Sequence, residues 1–284
     1  MKIHVLTARL WPALCADERA CRIDTACEQP TPLDAASWRR ETWLGWTAWK
    51  AGFDCVPLPA ASLGRQAGRG LQAQARRDGC LFLPRVLPPA TLRALRKVVL
   101  ASGHALGLLD GRGLWTGGDT AAMHELPAWL ALQQQVALTP ELQAVAHHPA
   151  LLDLLAQVLG AAPLPDQGTV VRLAPPEHHV PATPAHRDGD YIRGRPGLWI
   201  AWLPLVACDP LQGVLAVAPG SHRAPAATGW AAAAMRPGDV LLFSADTLHR
   251  ACPNRQPAHV RLSVDLRFAP APCLQAQAGS GEAR

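Results

Sequence analysis

The sequence has few lysines, a single tyrosine and no pair of cysteines spaced as Cys-x-x-Cys. Its net charge of +5 therefore comes from arginines, which are scattered singly and give little support for a nucleic-acid partner. A zinc knuckle or a thioredoxin-like motif needs closely spaced cysteines, so we interpret the eight cysteines as buried free thiols. No apolar run reaches the length of a membrane span, and we predict a soluble cytoplasmic protein with no membrane partner.

The composition indicates a globular protein with a sizeable core. Hydrophobic residues make up 49% of the 284 residues and charged residues 17%, which is outside the range of disordered chains. We predict three regions along the chain. Residues 1–70 form a tryptophan-rich, partly helical extension, residues 71–270 form the main domain, and residues 271–284 form a disordered tail.

Capping residues mark several helices. In the extension, Asp34 and Gly52 bound a predicted helix that carries a stripe of tryptophans near one face. Residues 61–70 are interpreted as a flexible connector, and from residue 71 the pattern is helix, turn, short strand and helix. Two further helical pieces lie between Thr139, a predicted N-cap, and Gly160, a predicted stop.

Short strands replace the helices after residue 163 and are separated by turns rich in proline, glycine and aspartate. The clearest are TVVRLA, GLWIAWLPL, GVLAVAP, DVLLFS and HVRLSVDLRF. Helices followed by an unbroken series of strands favour a jelly-roll or cupin-like barrel over alternating βαβ units. The predicted fold class is mainly β, with flanking helices.

The stretch AHRDGDYIRG holds a histidine and two aspartates within five positions. Residues i and i+2 of a strand point to the same face, so His186 and Asp188 can present an imidazole and a carboxylate side by side. Asp190 shares this parity, although Gly189 is expected to end the strand and so favours Asp188. Taken alone, the pattern is more typical of a solvated turn. An iron site would need a second, distant histidine on the same face.

Three later histidines could complete such a site. His222 follows a strand in a turn, His259 begins the last strand, and His249 follows a buried strand and a short loop that can return it to the barrel mouth. In the last strand one face is apolar, and the other carries Arg261, Ser263, Asp265 and Arg267. An arginine that points into a barrel is costly unless it meets an anion, and a dicarboxylate would satisfy Arg261 with two hydrogen bonds.

The order of these motifs resembles the phytanoyl-CoA dioxygenase family of Fe(II)/2-oxoglutarate-dependent oxygenases, over roughly residues 71–268. The matching stretches are RRDGCLFLPRVLPPATLRALR, HHPALLDLLAQVLG, HRD, GVLAVAPGSHR, GDVLLFSADTLHRACPN and VRLSVDLRF. The resemblance implies a double-stranded β-helix core in which His186, Asp188 and His249 hold the iron.

The resemblance also implies where the cosubstrate and the substrate bind. Arg261 would bind the distal carboxylate of 2-oxoglutarate, Trp202 would lie against the cosubstrate, and Ser263 would assist. Arg255 is a second candidate for the anchor. The residues expected near the substrate are Arg172, His179, Asp190 and Tyr191.

The reaction that the resemblance implies uses Fe(II), 2-oxoglutarate and O2. It is the hydroxylation of an unactivated C–H bond of a small molecule in secondary-metabolite biosynthesis, with desaturation, cyclisation and epimerisation as variants. Halogenation is not expected, because a halogenating relative would need the carboxylate of Asp188 replaced by a small residue. Two alternatives remain: a cupin-type metalloenzyme that does not use 2-oxoglutarate, and a catalytically silent binding protein of the same fold.

Overall fold

The computed structural model describes residues 55–61, 67–192, 197–224 and 229–271, and these contain nine strands in two sheets. One sheet has five strands in the order β2-β7-β4-β9-β3, and the other has four in the order β1-β6-β5-β8. The strands are β1 (Cys55–Pro57), β2 (Cys80–Leu83), β3 (Pro163–Ala174), β4 (Trp199–Pro204), β5 (Leu215–Val217), β6 (Trp230–Ala232), β7 (Val240–Ser244), β8 (His249–Ala251) and β9 (Arg261–Pro270). All five strands that we predicted after residue 163 are present.

Within the described residues, five α-helices precede or interrupt the strand series. They are α1 (Ala67–Asp78), α2 (Pro89–Ala105), α3 (Pro127–Ala137), α4 (Pro140–Ala146) and α5 (Pro149–Leu159). Three single turns of 3₁₀ helix cover Met123–Glu125, Asp188–Asp190 and Ser221–Arg223. Helices α1, α3 and α5 contact the five-stranded sheet, so the fold is the mainly β jelly roll with flanking helices that the strand series predicts.

The helix boundaries follow the capping residues that the sequence shows. The Thr139 hydroxyl accepts a hydrogen bond from the Leu142 amide at 3.4 Å, as an N-cap does. Gly160 ends α5 in the left-handed conformation, with φ of 69°, which a glycine adopts without steric cost. His148 caps α5 through Nδ1, which accepts from the Ala150 amide at 3.3 Å. These boundaries are set locally, and the sequence predictions are confirmed.

Strand β9 lies inside the five-stranded sheet, and both of its faces are buried. It pairs with β3 on one side and β4 on the other, both antiparallel. Its apolar positions pack with the helices on the outer face of the five-stranded sheet, as does Val260 just before the strand, and they are Leu262, Val264, Leu266 and Phe268. Its alternate positions are also buried, and they are Arg261, Ser263, Asp265 and Arg267. The polar row therefore faces the space between the two sheets.

The structure differs from the sequence predictions at two places near the N-terminal boundary. Helix α1 begins at Ala67, inside the predicted connector, because the helical pattern that follows extends one turn further back. Strand β1, which the sequence groups with the extension, pairs in parallel with β6 and so belongs to the four-stranded sheet. A strand of three residues is too short to show a period in the sequence. The helix predicted between Asp34 and Gly52, and the tail beyond residue 271, lie outside the described residues.

The cysteines that the structure describes are buried thiols, as predicted, and they are Cys55, Cys80, Cys208 and Cys252. Burial raises the pKa of both Cys80 and Cys208 to about 12. Among the described helices, none combines the length and the hydropathy that a membrane crossing requires.

Candidate metal centre

Two histidines and one aspartate converge inside the barrel. His186 and His249 lie opposite each other and exchange two backbone hydrogen bonds of 3.0 Å, which places their ring centroids 4.2 Å apart. Asp188 begins the 3₁₀ turn, and its Oδ1 lies 3.5 Å from Nε2 of His186 and 3.7 Å from Nε2 of His249. One donor atom from each residue lies within 4.8 Å of the others, and all three side chains are buried.

Backbone carbonyls fix the chemical form of the two imidazoles. Nδ1 of His186 donates to the Pro184 carbonyl at 2.9 Å, and Nδ1 of His249 donates to the Thr247 carbonyl at 3.0 Å. A neutral imidazole that carries its proton on Nδ1 has a lone pair on Nε2. The Nε2 atoms of both rings therefore remain to face the Oδ1 atom of Asp188. Three electron donors around one point are suited to a cation, and this set is the one that non-haem iron proteins use.

Burial and neighbouring charges keep His249 and Asp188 in protonation states that can bind a metal ion. Burial lowers the pKa of His249 to about 3, with the neighbouring His186 adding to the effect, so this imidazole is neutral. Burial alone would raise the pKa of Asp188. The hydrogen bond with His186 and the charge of Arg267 outweigh this effect and hold that pKa below its ordinary value. The aspartate is therefore a carboxylate.

The turn after Asp188 separates the two aspartates that the sequence left in competition. The amide of Gly189 donates to the Ala245 carbonyl at 2.9 Å inside a 3₁₀ turn that already begins at Asp188, one residue earlier than expected, and only His186 pairs as in a strand, through an isolated bridge with His249. Asp190 is exposed, whereas Asp188 is 5% exposed. Tyr191 lies at the rim of the site, with its ring centroid 6.4 Å from that of His186.

A cavity next to the three residues contains the arginine that the sequence predicts as an anion anchor. Arg261 is 5% exposed, donates from Nε to the Gly213 carbonyl at 2.9 Å and donates from Nη1 to the Ser263 hydroxyl at 2.6 Å. Its guanidinium carbon lies 5.5 Å from the ring centre of Trp202, a side chain that also lines the cavity. His186, His249, Trp202 and Arg261 thus share one cavity wall.

Two further charged residues face this interior, and neither is among the predicted site residues. Asp265 lines the cavity and accepts a hydrogen bond of 2.8 Å from Nε of Arg172, which also lines it. Arg267 lies two residues further along β9, and its Nη2 is 3.4 Å from Oδ2 of Asp188. The signal in the sequence was the parity that both share with Arg261, because a charge on an inward face requires a partner.

Other predicted or competing residues lie elsewhere. Nδ1 of His179 is 2.7 Å from Asp119 Oδ1, and His179 is outside the cavity lining. His222 lies in a turn, with Nε2 3.1 Å from the Arg76 carbonyl. His259 is exposed. Arg255 has its Nε 3.8 Å from Glu177 and does not line the cavity.

Solved structures of other proteins share this fold. The α-ketoglutarate-dependent epimerase SnoN from nogalamycin biosynthesis superposes with a TM-score of 0.55, at 24% identity, over 73% of this chain and 84% of that chain. AviO1 from Streptomyces viridochromogenes superposes with a TM-score of 0.54, at 22% identity, over 75% of this chain and 97% of that one. At these identities the likeness concerns the fold.

One sequence relative is a hydroxylase. The chain is 32% identical to a 1-deoxypentalenic acid 11-beta-hydroxylase of Streptomyces arenae, over 44% of this chain and 56% of the relative. The matched region thus spans about half the length of that relative.

A buried cluster of two histidines and one carboxylate within a jelly roll defines a class of metalloproteins, the non-haem iron type. The profile of the phytanoyl-CoA dioxygenase family matches residues 75–262. The chain belongs to this family.

Proposed function

We propose that the protein is a cytoplasmic Fe(II)/2-oxoglutarate-dependent dioxygenase that oxidises an unactivated C–H bond of a small molecule. The observation that carries the proposal is a cavity lined by His186, His249 and the buried Arg261, with Asp188 facing the same two histidines. Nε2 of His186, Nε2 of His249 and Oδ1 of Asp188 all point to one centre, and Arg261 lies on the same cavity wall.

His186, Asp188 and His249 would hold the iron. Their geometry fits the ion because both Nδ1 atoms donate to backbone carbonyls, which leaves both Nε2 atoms to face the metal position, and because the aspartate is ionised. Three protein ligands leave coordination positions open for other molecules. When bound, Fe(II) together with 2-oxoglutarate and O2 supplies the oxidising power for C–H cleavage, with succinate and carbon dioxide as by-products.

Arg261 would bind the distal carboxylate of 2-oxoglutarate. A guanidinium has five N–H donors, and two of those on Arg261 are used for Gly213 and Ser263. The remaining donors can form a charge-assisted pair with a carboxylate. Trp202 provides an apolar wall behind the cosubstrate, and the hydroxyl of Ser263 fixes the guanidinium plane.

The substrate would enter beside these groups. Arg172 lines the cavity, so it is the best placed of the proposed substrate contacts. Asp190 ends the 3₁₀ turn that begins at Asp188, and Tyr191 comes directly after it. His179 would contact the substrate from the loop in which it pairs with Asp119. We propose a natural-product tailoring reaction, with hydroxylation as the first expectation. The Streptomyces hydroxylase, the epimerase SnoN and the carbocyclase SnoK from nogalamycin biosynthesis support this class of substrate.

The proposal is tested by anaerobic addition of Fe(II) and 2-oxoglutarate to the purified protein. A weak visible metal-to-ligand charge-transfer band is expected for the wild type, and it should be lost in His249→Ala and Asp188→Ala. His259→Ala and Asp190→Ala are the matched controls, because both residues are exposed and competed for these roles in the sequence. They should retain the band.

Each other outcome contradicts the proposal in a distinct way. A band that survives Asp188→Ala would mean that the metal binds elsewhere. Iron binding with no band would favour a cupin-type metalloenzyme that does not use 2-oxoglutarate. Failure to bind iron at all would favour a catalytically silent binding protein.

A further inference from the structure

We propose that Arg267 is a positioning residue that holds the carboxylate of Asp188 so that one oxygen faces the metal position and the other does not. The inference rests on the metal site proposed above and goes beyond it. It assigns a role to a buried arginine that contacts a metal-ligand residue.

The two oxygens of Asp188 have different neighbours. Oδ1 faces the imidazoles, 3.5 Å from Nε2 of His186 and 3.7 Å from Nε2 of His249. Oδ2 faces Nη2 of Arg267 at 3.4 Å. A carboxylate can offer a metal one oxygen or two. With Oδ2 directed at a guanidinium, Asp188 is prepared to offer only Oδ1.

The position of Arg267 is itself fixed by the sheet. Arg267 is 9% exposed, and in the register of the sheet it lies opposite Ile200 of β4 and Asp166 of β3. The pairing of β3 with β9 shifts between Asp166 and Val170, and Gly168 lies in this irregular segment. A Cβ atom on Gly168 would lie 2.5 Å from Nη1 and 3.0 Å from Cδ of Arg267. The absence of a side chain at residue 168 therefore makes room for the arginine.

By holding Oδ2 of Asp188, Arg267 would limit the number of protein ligands around the metal. An aspartate that gives one oxygen leaves one more position around the metal than an aspartate that gives two. The proposed reaction needs these positions for the cosubstrate and for O2. Groups that orient a metal ligand from outside typically change metal affinity by about 10–100-fold when they are removed. Arg267 is expected to act in this way.

Arg261 provides a matched control for this inference. Both arginines lie on the inward face of β9, and both are less than a tenth exposed. Arg261 contacts Gly213 and Ser263, whereas Arg267 contacts Asp188. Removing either one deletes a buried positive charge from the same strand, so an effect confined to Arg267→Met comes from its contact with the carboxylate.

The test is Co(II) binding to the metal-free protein without 2-oxoglutarate, followed by the visible cobalt spectrum. Arg267→Met should weaken Co(II) binding about 10–100-fold, because the carboxylate of Asp188 is no longer held in position for the ion. It should also lower the intensity of the cobalt bands, because a second aspartate oxygen can then reach the metal and raise the number of ligands. Arg267→Lys keeps the charge and should bind with an affinity between those of the wild type and Arg267→Met. Arg261→Met should bind Co(II) like the wild type and lose 2-oxoglutarate binding instead.

A glycine variant guards against a folding failure of Arg267→Met. Gly168→Ala pushes the guanidinium without removing its charge, and it should weaken Co(II) binding in the same direction. Gly111→Ala is its control, since a Cβ atom there meets nothing within 4 Å. Thermal unfolding of the metal-free variants checks that each has folded.

The inference is overturned if Arg267→Met and Gly168→Ala bind Co(II) with wild-type affinity and an unchanged spectrum. It is also overturned if Arg261→Met weakens Co(II) binding equally, because the effect would then belong to any buried charge of the strand. A wild type that fails to bind Co(II) would overturn the metal site together with this inference. A wild type that binds Co(II) but not 2-oxoglutarate would overturn the proposed cosubstrate alone.

Discussion

Replacing Arg261 by methionine should abolish tight binding of 2-oxoglutarate while the fold and the metal site persist. The guanidinium is 5% exposed, and it is held by Gly213 and Ser263 with its remaining donors available to an anion. Removing one partner of a buried, hydrogen-bonded charge pair costs about 2–5 kcal/mol. A loss of about 3 kcal/mol corresponds to roughly a 150-fold weaker affinity. Methionine approximates the length of the side chain without its charge.

The measurement is calorimetric titration of 2-oxoglutarate into the Co(II)-loaded protein, which avoids turnover. Arg255→Met is the control, because Arg255 is the other arginine that the sequence allowed as the anchor and it pairs with Glu177 outside the cavity. Arg255→Met should bind 2-oxoglutarate like the wild type. The reasoning is refuted if Arg255→Met loses the cosubstrate while Arg261→Met keeps it.

Three further predictions concern stability. Gly213→Ala places a side chain at φ of 74° and 3.0 Å from the Cys252 carbonyl, so it should cost about 1–3 kcal/mol in urea unfolding and also weaken 2-oxoglutarate binding through Arg261. Leu262→Ala, at a 2% exposed core position, should cost about 2–5 kcal/mol, against less than about 0.5 kcal/mol for the exposed Val56→Ala. Burial raises the pKa of Cys80 to about 12, above the value near 9 in the unfolded chain. The contribution of this thiol to the free energy of unfolding should therefore be fully present below pH 9 and be lost as the pH rises towards 12. Cys80→Ala should show a shallower alkaline loss in unfolding measured between pH 9 and 11, and an unchanged slope would count against this cause.

The parts of the fold that sequence could predict are those specified by local chemistry. Strand β9 alternates strictly, so its apolar face and its inward polar face could be assigned before the structure was known. Thr139 and Gly160 mark helix ends because a hydroxyl cap and a left-handed glycine act on the nearest backbone groups. The pair His186 and Asp188 was proposed from the same period of two, although in the structure Asp188 begins a 3₁₀ turn.

Other features depend on contacts between distant segments, which local patterns do not contain. The choice between Asp188 and Asp190 is made by the turn that Gly189 forms against Ala245, which buries one carboxylate and exposes the other. The contact between Arg267 and Asp188 requires an irregular strand pairing beside Gly168. Strand β1 is recognisable only from its pairing with β6. Each is a tertiary property.

The most direct test of the proposed function is the origin of the oxygen in succinate. The protein would be incubated with Fe(II), 2-oxoglutarate and oxygen-18 gas, with and without candidate small molecules, and succinate would be analysed by mass spectrometry. We predict one labelled oxygen atom per succinate, dependent on Fe(II) and absent in Asp188→Ala. If no labelled succinate forms with any candidate molecule, although Fe(II) and 2-oxoglutarate are both bound, the assignment as a 2-oxoglutarate-dependent dioxygenase is contradicted.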